Sequence, residues 1–582
     1  MVDLFCLILG KSTKIKAMKI HLSSLFILAV IFSFACNSNN SLQFEALDPL
    51  QKVFPESSYF APLDAHADVA RGEHASFQFA VRANSDIQNL QIHVEAPENS
   101  SSELADIKSG FVGYVKVGRA NPEPSTDSYK SLSGYFPDPI IYEDSRDVPF
   151  GTTQAIWLTV KIPVDCQTGL YKGRVEITGE LGGKSFSESK TFEIEVFKPV
   201  IENTSLWVTN WFFLDRLHYL NKNEAVEKHS DLYWELSRVM AQTLAEYRQN
   251  VAMISPFDHT VFTYDNGTWQ FDFSNFNRMV SLFVEEGVIG RLEGGHLGSR
   301  IDGGWLSPFG LYVPVFDNDS IDKELLPLDN PLTVEFYQAF LPAFVNNIQE
   351  QGWGGQYIQH IADEPIDDNV ESYIEISKFL KSLVPELKVI EACHTHRLEN
   401  MIDIWVPQMN FLESGMDFYT DRQTKGDEAW YYTCLAPKGE WANRFVELPL
   451  IKTRLLHWVN FKYNIPGYLH WGFNFWGSNS GIVTAEDPYD DVSGIIVSSG
   501  NILPGGDCWI TYPAYKTIYP SIRLEAMRDG IVDYELLLMF KEKFPEEADV
   551  LVGTTVYGFE HYDINIGAFR DKRRLILEKL SN

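Results

Sequence analysis

Cysteine is scarce in this 582-residue chain, which contains only six. No two of them are spaced as CxxC, and this argues against a structural zinc site or a redox pair. We expect no metal and no cofactor. Four cysteines follow residue 36, and we expect them to be buried free thiols: Cys166, Cys393, Cys434 and Cys508.

Basic residues are also few, with 48 Lys and Arg against 79 Asp and Glu, which gives a formal net charge of −31. The sequence contains no Lys/Arg-rich run that would neutralise phosphates, so nucleic acid is excluded as the expected partner. Aromatic residues make up 14% of the chain. Such a content favours a cleft whose aromatic rings stack on flat apolar faces, such as those of sugars.

Long hydrophobic runs are absent except at residues 22–35, which follow Lys14, Lys16 and Lys19 and precede Cys36. This run is too short to span a bilayer and is typical of an export signal. Residues 33–36 resemble a relaxed bacterial lipobox. We predict a signal peptide over 1–36 with a lipidated Cys36, and a tether over 37–43. The protein would be an exported lipoprotein of the periplasm or outer membrane, with the lipid anchor as its only membrane contact.

Residues 44–198 contain short stretches in which apolar and polar residues alternate, for example 75–81 and 154–160. Period-2 patterning with turn residues between the stretches predicts an all-β sandwich. No cluster of His, Asp or Glu stands out in this region, so we expect it to brace the domain that follows.

After Pro199 the pattern changes to strands that alternate with helices. Eight such strands predict a (β/α)8 barrel over 199–582, with a hairpin inserted at 493–513 and helices at the C-terminus. Catalytic groups of such barrels lie at the C-terminal ends of the strands.

The motif Asp363-Glu364-Pro365 closes the predicted fourth strand. Two adjacent carboxylates at the mouth of a barrel favour a catalytic pair over solvated loop acids. Adjacent like charges also raise the pKa of one member, which suits a general acid.

Two kinds of glycosidase chemistry could use this pair. Double displacement needs a second carboxylate about 5 Å from the acid, but the predicted seventh strand carries aromatic residues there. In substrate assistance, a 2-acetamido group of the sugar is the nucleophile, Glu364 is the acid and Asp363 orients the acetamido N–H. If a protein carboxylate attacks instead, Glu391 and Glu413 are the candidates.

An acetamido group needs an apolar enclosure and a hydrogen-bond donor, and the last two strands supply candidates for both. They are Trp430, Tyr431, Tyr432, Trp471, Asn474 and Trp476. Because neighbouring residues of a strand point to opposite faces, only one of the two tyrosines can donate to the acetamido oxygen.

Three further polar residues are candidates for binding sugar hydroxyls: Asn210, His296 and His360. The pair His394 and His396 has the residue type of a metal site, but no third ligand lies near it in the sequence, so we do not expect a metal there.

At these residues the chain resembles glycoside hydrolase family 123, the β-N-acetylgalactosaminidases. The resemblance extends to Ala70-Arg71-Gly72-Glu73 and to the block Arg523–Glu535. It implies exo-hydrolysis of terminal β-linked N-acetylgalactosamine from a glycan, with retention and through an oxazolinium intermediate, and it places the catalytic pair on Asp363 and Glu364. The alternative is a lipid-anchored glycan-binding protein that has lost catalysis.

Overall fold

The structure is a computed structural model that describes residues 42–58, 60–129, 133–317, 320–479 and 481–582. The predicted signal peptide, Cys36 and nearly all of the predicted tether lie outside these residues. Across the described part of the chain, every helix is too short or too polar to cross a bilayer.

The N-terminal region consists of two five-stranded sheets that share one apolar core. Its ten strands are β1 (Leu42–Leu47), β2 (His66–Arg71), β3 (His74–Ala83), β4 (Ile87–Glu98), β5 (Ile107–Val117), β6 (Gly134–Ile141), β7 (Arg146–Val148), β8 (Thr153–Lys161), β9 (Gly169–Leu181) and β10 (Lys184–Val200). The sheet orders are β1-β3-β8-β5-β6 and β2-β10-β9-β4-β7. The β-rich N-terminal region predicted from period-2 patterning is confirmed.

Strands and helices alternate through most of the remaining chain. Its strands are β11 (Trp207–Asn210), β12 (Val251–Met253), β13 (Val261–Asp265), β14 (Thr268–Asp272), β15 (Arg291–Gly294), β16 (Gly298–Arg300), β17 (Phe309–Asp317), β18 (Ser320–Leu326), β19 (Tyr357–Gln359), β20 (Ile390–Ala392), β21 (Ile404–Val406), β22 (Glu428–Ala429), β23 (Tyr431–Tyr432), β24 (Gly467–His470), β25 (Gly494–Ile495), β26 (Ile502–Leu503), β27 (Thr511–Ala514) and β28 (Thr517–Pro520). Its helices are a 3-10 helix at Leu214–Asn221 and α1 (Asp231–Glu246), α2 (Pro256–His259), α3 (Ser274–Glu285), α4 (Pro331–Glu350), α5 (Val370–Leu383), α6 (Met409–Ser414), α7 (Met416–Thr424), α8 (Leu450–Lys462), α9 (Ile522–Lys543), α10 (Pro545–Gly553) and α11 (Ile566–Ser581).

The short strands between the helices pair in parallel. They form three sheets of three strands, in the orders β12-β15-β19, β20-β21-β22 and β11-β24-β23. Parallel bridges from Gln359 to Val389 and from Gln408 to Tyr432 join neighbouring sheets. Apolar side chains from these strands share one small core. Parallel strands joined by helices bring their C-terminal ends to the same edge, and this edge is where the candidate site lies.

Three sequence predictions in this region need correction. The fourth strand ends at Gln359, so Asp363 and Glu364 lie on the loop beyond it. The predicted hairpin at 493–513 is shorter, with its strands β25 and β26 at 494–495 and 502–503, and a second hairpin, β27–β28, follows at 511–520. All four cysteines after residue 36 are free, but only Cys393 and Cys508 are fully buried.

Helix α9 carries the block Arg523–Glu535, and its charged side chains join the two regions of the protein. The Arg523 guanidinium binds both carboxylate oxygens of Asp138 on β6, at 2.7 and 2.8 Å, and both residues are fully buried. Glu525 accepts hydrogen bonds from Ser76 and Thr159 of the N-terminal sheets. This block therefore fixes the N-terminal region against the rest of the chain and lies outside the candidate site.

We expect Arg523→Met to lower the free energy of unfolding by about 3–5 kcal/mol, because it leaves Asp138 buried without its partner. Lys425→Met is the matched control, since Lys425 and Asp421 form an exposed pair that contributes about 0–1 kcal/mol. Urea denaturation of both variants measures the difference. Equal losses in the two variants would contradict this assignment of the Arg523 pair.

Candidate functional site

Asp363 and Glu364 lie on a loop that polar contacts hold in place. Arg300, at the end of β16, donates to both backbone carbonyls, at 3.1 Å to Asp363 and 2.7 Å to Glu364. The Glu364 N–H donates to the carbonyl of Ala392 at 3.1 Å. Glu364 has a φ of +51°, in the left-handed region that costs a non-glycine residue about 1 kcal/mol or more. Such strain persists only where surrounding contacts hold it, and it is frequent at functional sites.

The Glu364 carboxylate is bound by two side chains from other strands. The Tyr432 hydroxyl, on β23, donates to Oε1 of Glu364. Nε2 of His394, which follows β20, lies 3.3 Å from the same oxygen and 2.7 Å from the Tyr432 hydroxyl. Burial by itself would raise the pKa of Glu364, but His394 and the Tyr432 hydrogen bond lower that pKa below its ordinary value. Burial and the Glu364 charge raise the pKa of Tyr432, so its hydroxyl keeps its proton.

The Asp363 carboxyl is about half exposed, and Nε2 of His296 lies 3.8 Å from it. Low-dielectric surroundings and the negative charge of Glu364 raise the pKa of Asp363 to about 6. Adjacency in the sequence predicts a raised pKa for the general acid, Glu364. The structure places it on Asp363, because His394 and Tyr432 stabilise the charged form of Glu364 alone.

A buried row of charged groups lies beneath Asp363. The two ring nitrogens of His360 bind Glu293 at 2.5 Å and Glu391 at 2.9 Å, and all three side chains are fully buried. Burial lowers the pKa of His360, but the two carboxylates outweigh it and raise that pKa to about 10. Glu391 also lies 3.5 Å from His296, and the two histidines lower the pKa of Glu391 to about 2 against the effect of burial. Nε2 of His296 thus lies between this row and Asp363, 3.5 Å from Glu391 and 3.8 Å from Asp363.

Two groups in the described residues have the composition of a metal site. In the first, ligand atoms of His296, His360 and Glu391 lie within 4.8 Å of one another. Both nitrogens of His360 donate to carboxylates, so this imidazolium has no lone pair for a metal. The second group is formed by His66, Asp68 and Glu195 on the N-terminal sheets, where Arg574 binds both carboxylates. Neither donor set fits a metal ion.

Of the residues predicted to bind substrate, Tyr432 and His296 contact the carboxylate pair, and His360 lies beneath them. Trp471 lies at the end of β24, where Nε1 is 3.3 Å from both carboxylate oxygens of Asp507. Burial raises the pKa of Asp507 to about 7.

The other five predicted residues bind protein groups instead of facing the pair. Tyr431 points to the opposite face of its strand and donates to the Leu456 carbonyl. The remaining four are buried and engaged as follows: Asn210 with Gln249 and Arg444, Trp430 with Glu428, Asn474 with the backbone of Phe213, and Trp476 with the Thr511 carbonyl. In the unliganded protein these five side chains are engaged by protein groups, and their role as substrate ligands stays a prediction.

The contacts of Arg300 and His394 with the pair were not predicted from the sequence. His394 was considered only as a metal ligand, although it follows β20 directly and this position is typical of a site residue. Arg300 and Trp305 lie on the insertion after β15, and no sequence signal pointed to them.

Two family models match this chain. A model described as the glycoside hydrolase 123 catalytic domain matches residues 217–540, and a model of the glycoside hydrolase 123 N-terminal domain matches residues 60–179. A search of curated proteins finds no match.

Among solved structures, a family 123 glycoside hydrolase from Clostridium perfringens, studied for glycolipid glycan hydrolysis, is similar with a TM-score of 0.69 at 16% identity, covering 93% of this chain and 97% of that one. A family 20 exo-β-N-acetylglucosaminidase from Vibrio harveyi also matches, at 8% identity over 93% of this chain and 98% of that one, but its TM-score of 0.24 is too low to indicate a shared fold. The two family models together span most of the chain, and we conclude that it belongs to glycoside hydrolase family 123.

Proposed function

We propose that this protein is an exo-acting glycosidase that releases terminal β-linked N-acetylgalactosamine from glycans with retention, by a substrate-assisted mechanism. The observation that carries the proposal is the geometry around Asp363 and Glu364, in which adjacent carboxyls are held in two different electrostatic environments. Such a pair is suited to two different roles in one reaction.

In the first step the acetamido oxygen of the sugar attacks C1, the bond from C1 to the glycosidic oxygen breaks, and Glu364 donates its proton to the departing oxygen. Asp363 accepts a hydrogen bond from the acetamido N–H and stabilises the positive oxazolinium. The Tyr432 hydroxyl donates to the acetamido oxygen. In the second step Glu364 takes a proton from water, and this water attacks C1 and opens the ring with overall retention.

This sequence of steps requires a proton on Glu364 and a charge on Asp363, whereas the unliganded environments favour the reverse. Substrate binding would remove this conflict. When Tyr432 turns its hydroxyl to the acetamido oxygen, Glu364 loses a hydrogen bond that favours its charged form. The acetamido N–H supplies Asp363 with one that favours its own charged form.

The contacts of the nearby buried carboxylates disfavour a protein nucleophile. Oε2 of Glu391 accepts hydrogen bonds from the N–H groups of Ile361 and Ala362 and from the Tyr373 hydroxyl, at 2.9 to 3.0 Å. Its other oxygen binds His360. A carboxylate with so many donors is a weak nucleophile. Glu413 lies on the exposed surface of α6.

A thiazoline mimic of the bicyclic intermediate should inhibit the protein competitively, with an inhibition constant at least ~100-fold below the substrate KM. A 2-deoxy-2-fluoro glycoside should leave no adduct, since it lacks the acetamido nucleophile. Intact-protein mass spectrometry after incubation measures the second result. An adduct of one glycosyl unit would refute substrate assistance and direct attention to Glu391 and Glu413. Failure to cleave 4-nitrophenyl N-acetyl-β-galactosaminide would favour a non-catalytic glycan-binding protein.

We further propose that residues 199–582 form a (β/α)8 barrel braced by a sandwich at 44–198. Support comes from the parallel pairing of strands in chain order and from the contacts between β11 and β12 where two of the sheets meet. The sequence at 1–43 supports export as a lipoprotein anchored through Cys36, and this remains a proposal.

A further inference from the structure

Two aromatic side chains next to His394 remain partly exposed. Trp305 is 49% exposed and Phe411 is 37% exposed. Their ring centroids lie 5.9 Å and 4.7 Å from that of His394. They come from different parts of the chain, Trp305 from the insertion after β15 and Phe411 from α6, so the fold brings two apolar surfaces to one place at the edge of the site.

Trp305 is held firmly although its side chain is exposed. Its carbonyl accepts hydrogen bonds from Nε of Arg300 at 2.9 Å and from Nδ2 of the buried Asn369 at 3.2 Å. The Arg300 guanidinium also stacks on the ring, 4.2 Å from its centroid. One face of the indole is therefore covered while the ring keeps half of its surface open. A fixed aromatic surface binds a ligand with little loss of side-chain entropy.

The position of these rings relative to Glu364 indicates which part of the substrate they contact. His394 contacts both rings and Glu364, with its Nε2 3.3 Å from Oε1 of that residue. The general acid must contact the glycosidic oxygen. The first sugar of the leaving group carries that oxygen and therefore lies next to Glu364. The adjoining Arg300 donates to three backbone carbonyls, those of Trp305, Asp363 and Glu364, so its guanidinium is engaged by the protein, and the exposed surface here consists of the two aromatic rings.

We propose that Trp305 and Phe411 form a subsite for the pyranose ring of the leaving group, which binds an uncharged sugar through its apolar C–H face. The inference rests on the proposed function, because it takes Glu364 as the acid. The subsite sets specificity for the saccharide to which the terminal sugar is attached.

Two substrates separate this role from catalysis. In the first, N-acetyl-β-galactosamine is linked to methyl galactoside, so the leaving group has a pyranose ring. The second is N-acetyl-β-galactosaminyl fluoride, whose leaving group has no ring. Trp305→Ala should raise the KM for the disaccharide roughly tenfold or more and change kcat/KM for the fluoride by less than about twofold. Trp305→Phe should recover most of the loss. Phe150→Ala, at an exposed aromatic position of the N-terminal region, is the matched control and should affect neither substrate.

A binding measurement tests the subsite without turnover. Enzyme saturated with the thiazoline has its terminal-sugar position filled, and titration with methyl β-D-galactopyranoside should then quench tryptophan fluorescence in a saturable way. Trp305→Ala should abolish the quenching, and Phe411→Ala should weaken the apparent affinity.

The outcomes are distinct. Equal effects of Trp305→Ala on both substrates would overturn the subsite and leave the proposed function intact. A loss confined to kcat, without recovery in Trp305→Phe, would also overturn it, because Trp305 would then act through Arg300 on the position of Glu364. A wild-type protein that cleaves neither substrate would overturn the proposed function together with the subsite.

Discussion

Glu364→Gln should lower kcat/KM by about 10²–10⁴-fold on disaccharides and by less than about tenfold on a 2,4-dinitrophenyl glycoside. A sugar alkoxide is a poor leaving group and needs a proton as the glycosidic bond breaks. Dinitrophenolate leaves without one. Glutamine keeps the shape of the side chain and its contact with Tyr432, so the difference between the two substrates isolates proton donation.

Steady-state kinetics with both substrates measures the effect. Added azide provides a second test of the Glu364→Gln variant. A small anion can occupy the space left by the lost charge and attack the intermediate. Glu375→Gln, the same substitution at an exposed position of α5, should behave as wild type. A loss of equal size on both substrates, with an unchanged circular dichroism spectrum, would contradict the role of Glu364 as the acid.

Asp363→Asn should lower kcat by about 10²–10³-fold on every 2-acetamido substrate, including the dinitrophenyl glycoside that tolerates Glu364→Gln. The charge of Asp363 opposes the positive charge of the oxazolinium, which forms whatever the leaving group is. Asparagine preserves the size of the side chain but has no charge. Asp368→Asn, on the same loop and exposed, is the matched control.

Because the pKa of Asp363 is raised, the kcat/KM that depends on its charge should change with pH. The dinitrophenyl glycoside needs only the charged form of Asp363, so its kcat/KM should rise as pH increases through about 6 and then level off. The disaccharide needs one proton on the pair, so its kcat/KM should fall as pH increases through about 6. Asp363→Asn should remove the rise seen with the dinitrophenyl glycoside. Parallel profiles for the two substrates in wild type, or full kcat in Asp363→Asn, would refute the assignment.

The sequence by itself determined the β-rich N-terminal region and the alternation of strands and helices after it. These features depend on local information. Alternation of apolar residues specifies a half-buried strand, and helical periodicity of apolar residues specifies an amphipathic helix. The motifs around Asp363 and Arg523 were sufficient to indicate the family.

Tertiary structure decided which residues meet at the pair. Tyr431 and Tyr432 are equivalent in sequence, and only the register of β23 against β24 directs the Tyr432 side chain toward Glu364. His394 and Tyr432 are far apart in the chain and converge because parallel strands bring their C-terminal ends to one edge. Arg300 reaches the pair from β16, a strand of the antiparallel sheet that follows β15. The electrostatics depend on that convergence as well. Adjacency predicted that one carboxyl of the pair would have a raised pKa, but the contacts of His394 and Tyr432 with Glu364 decided that it is Asp363.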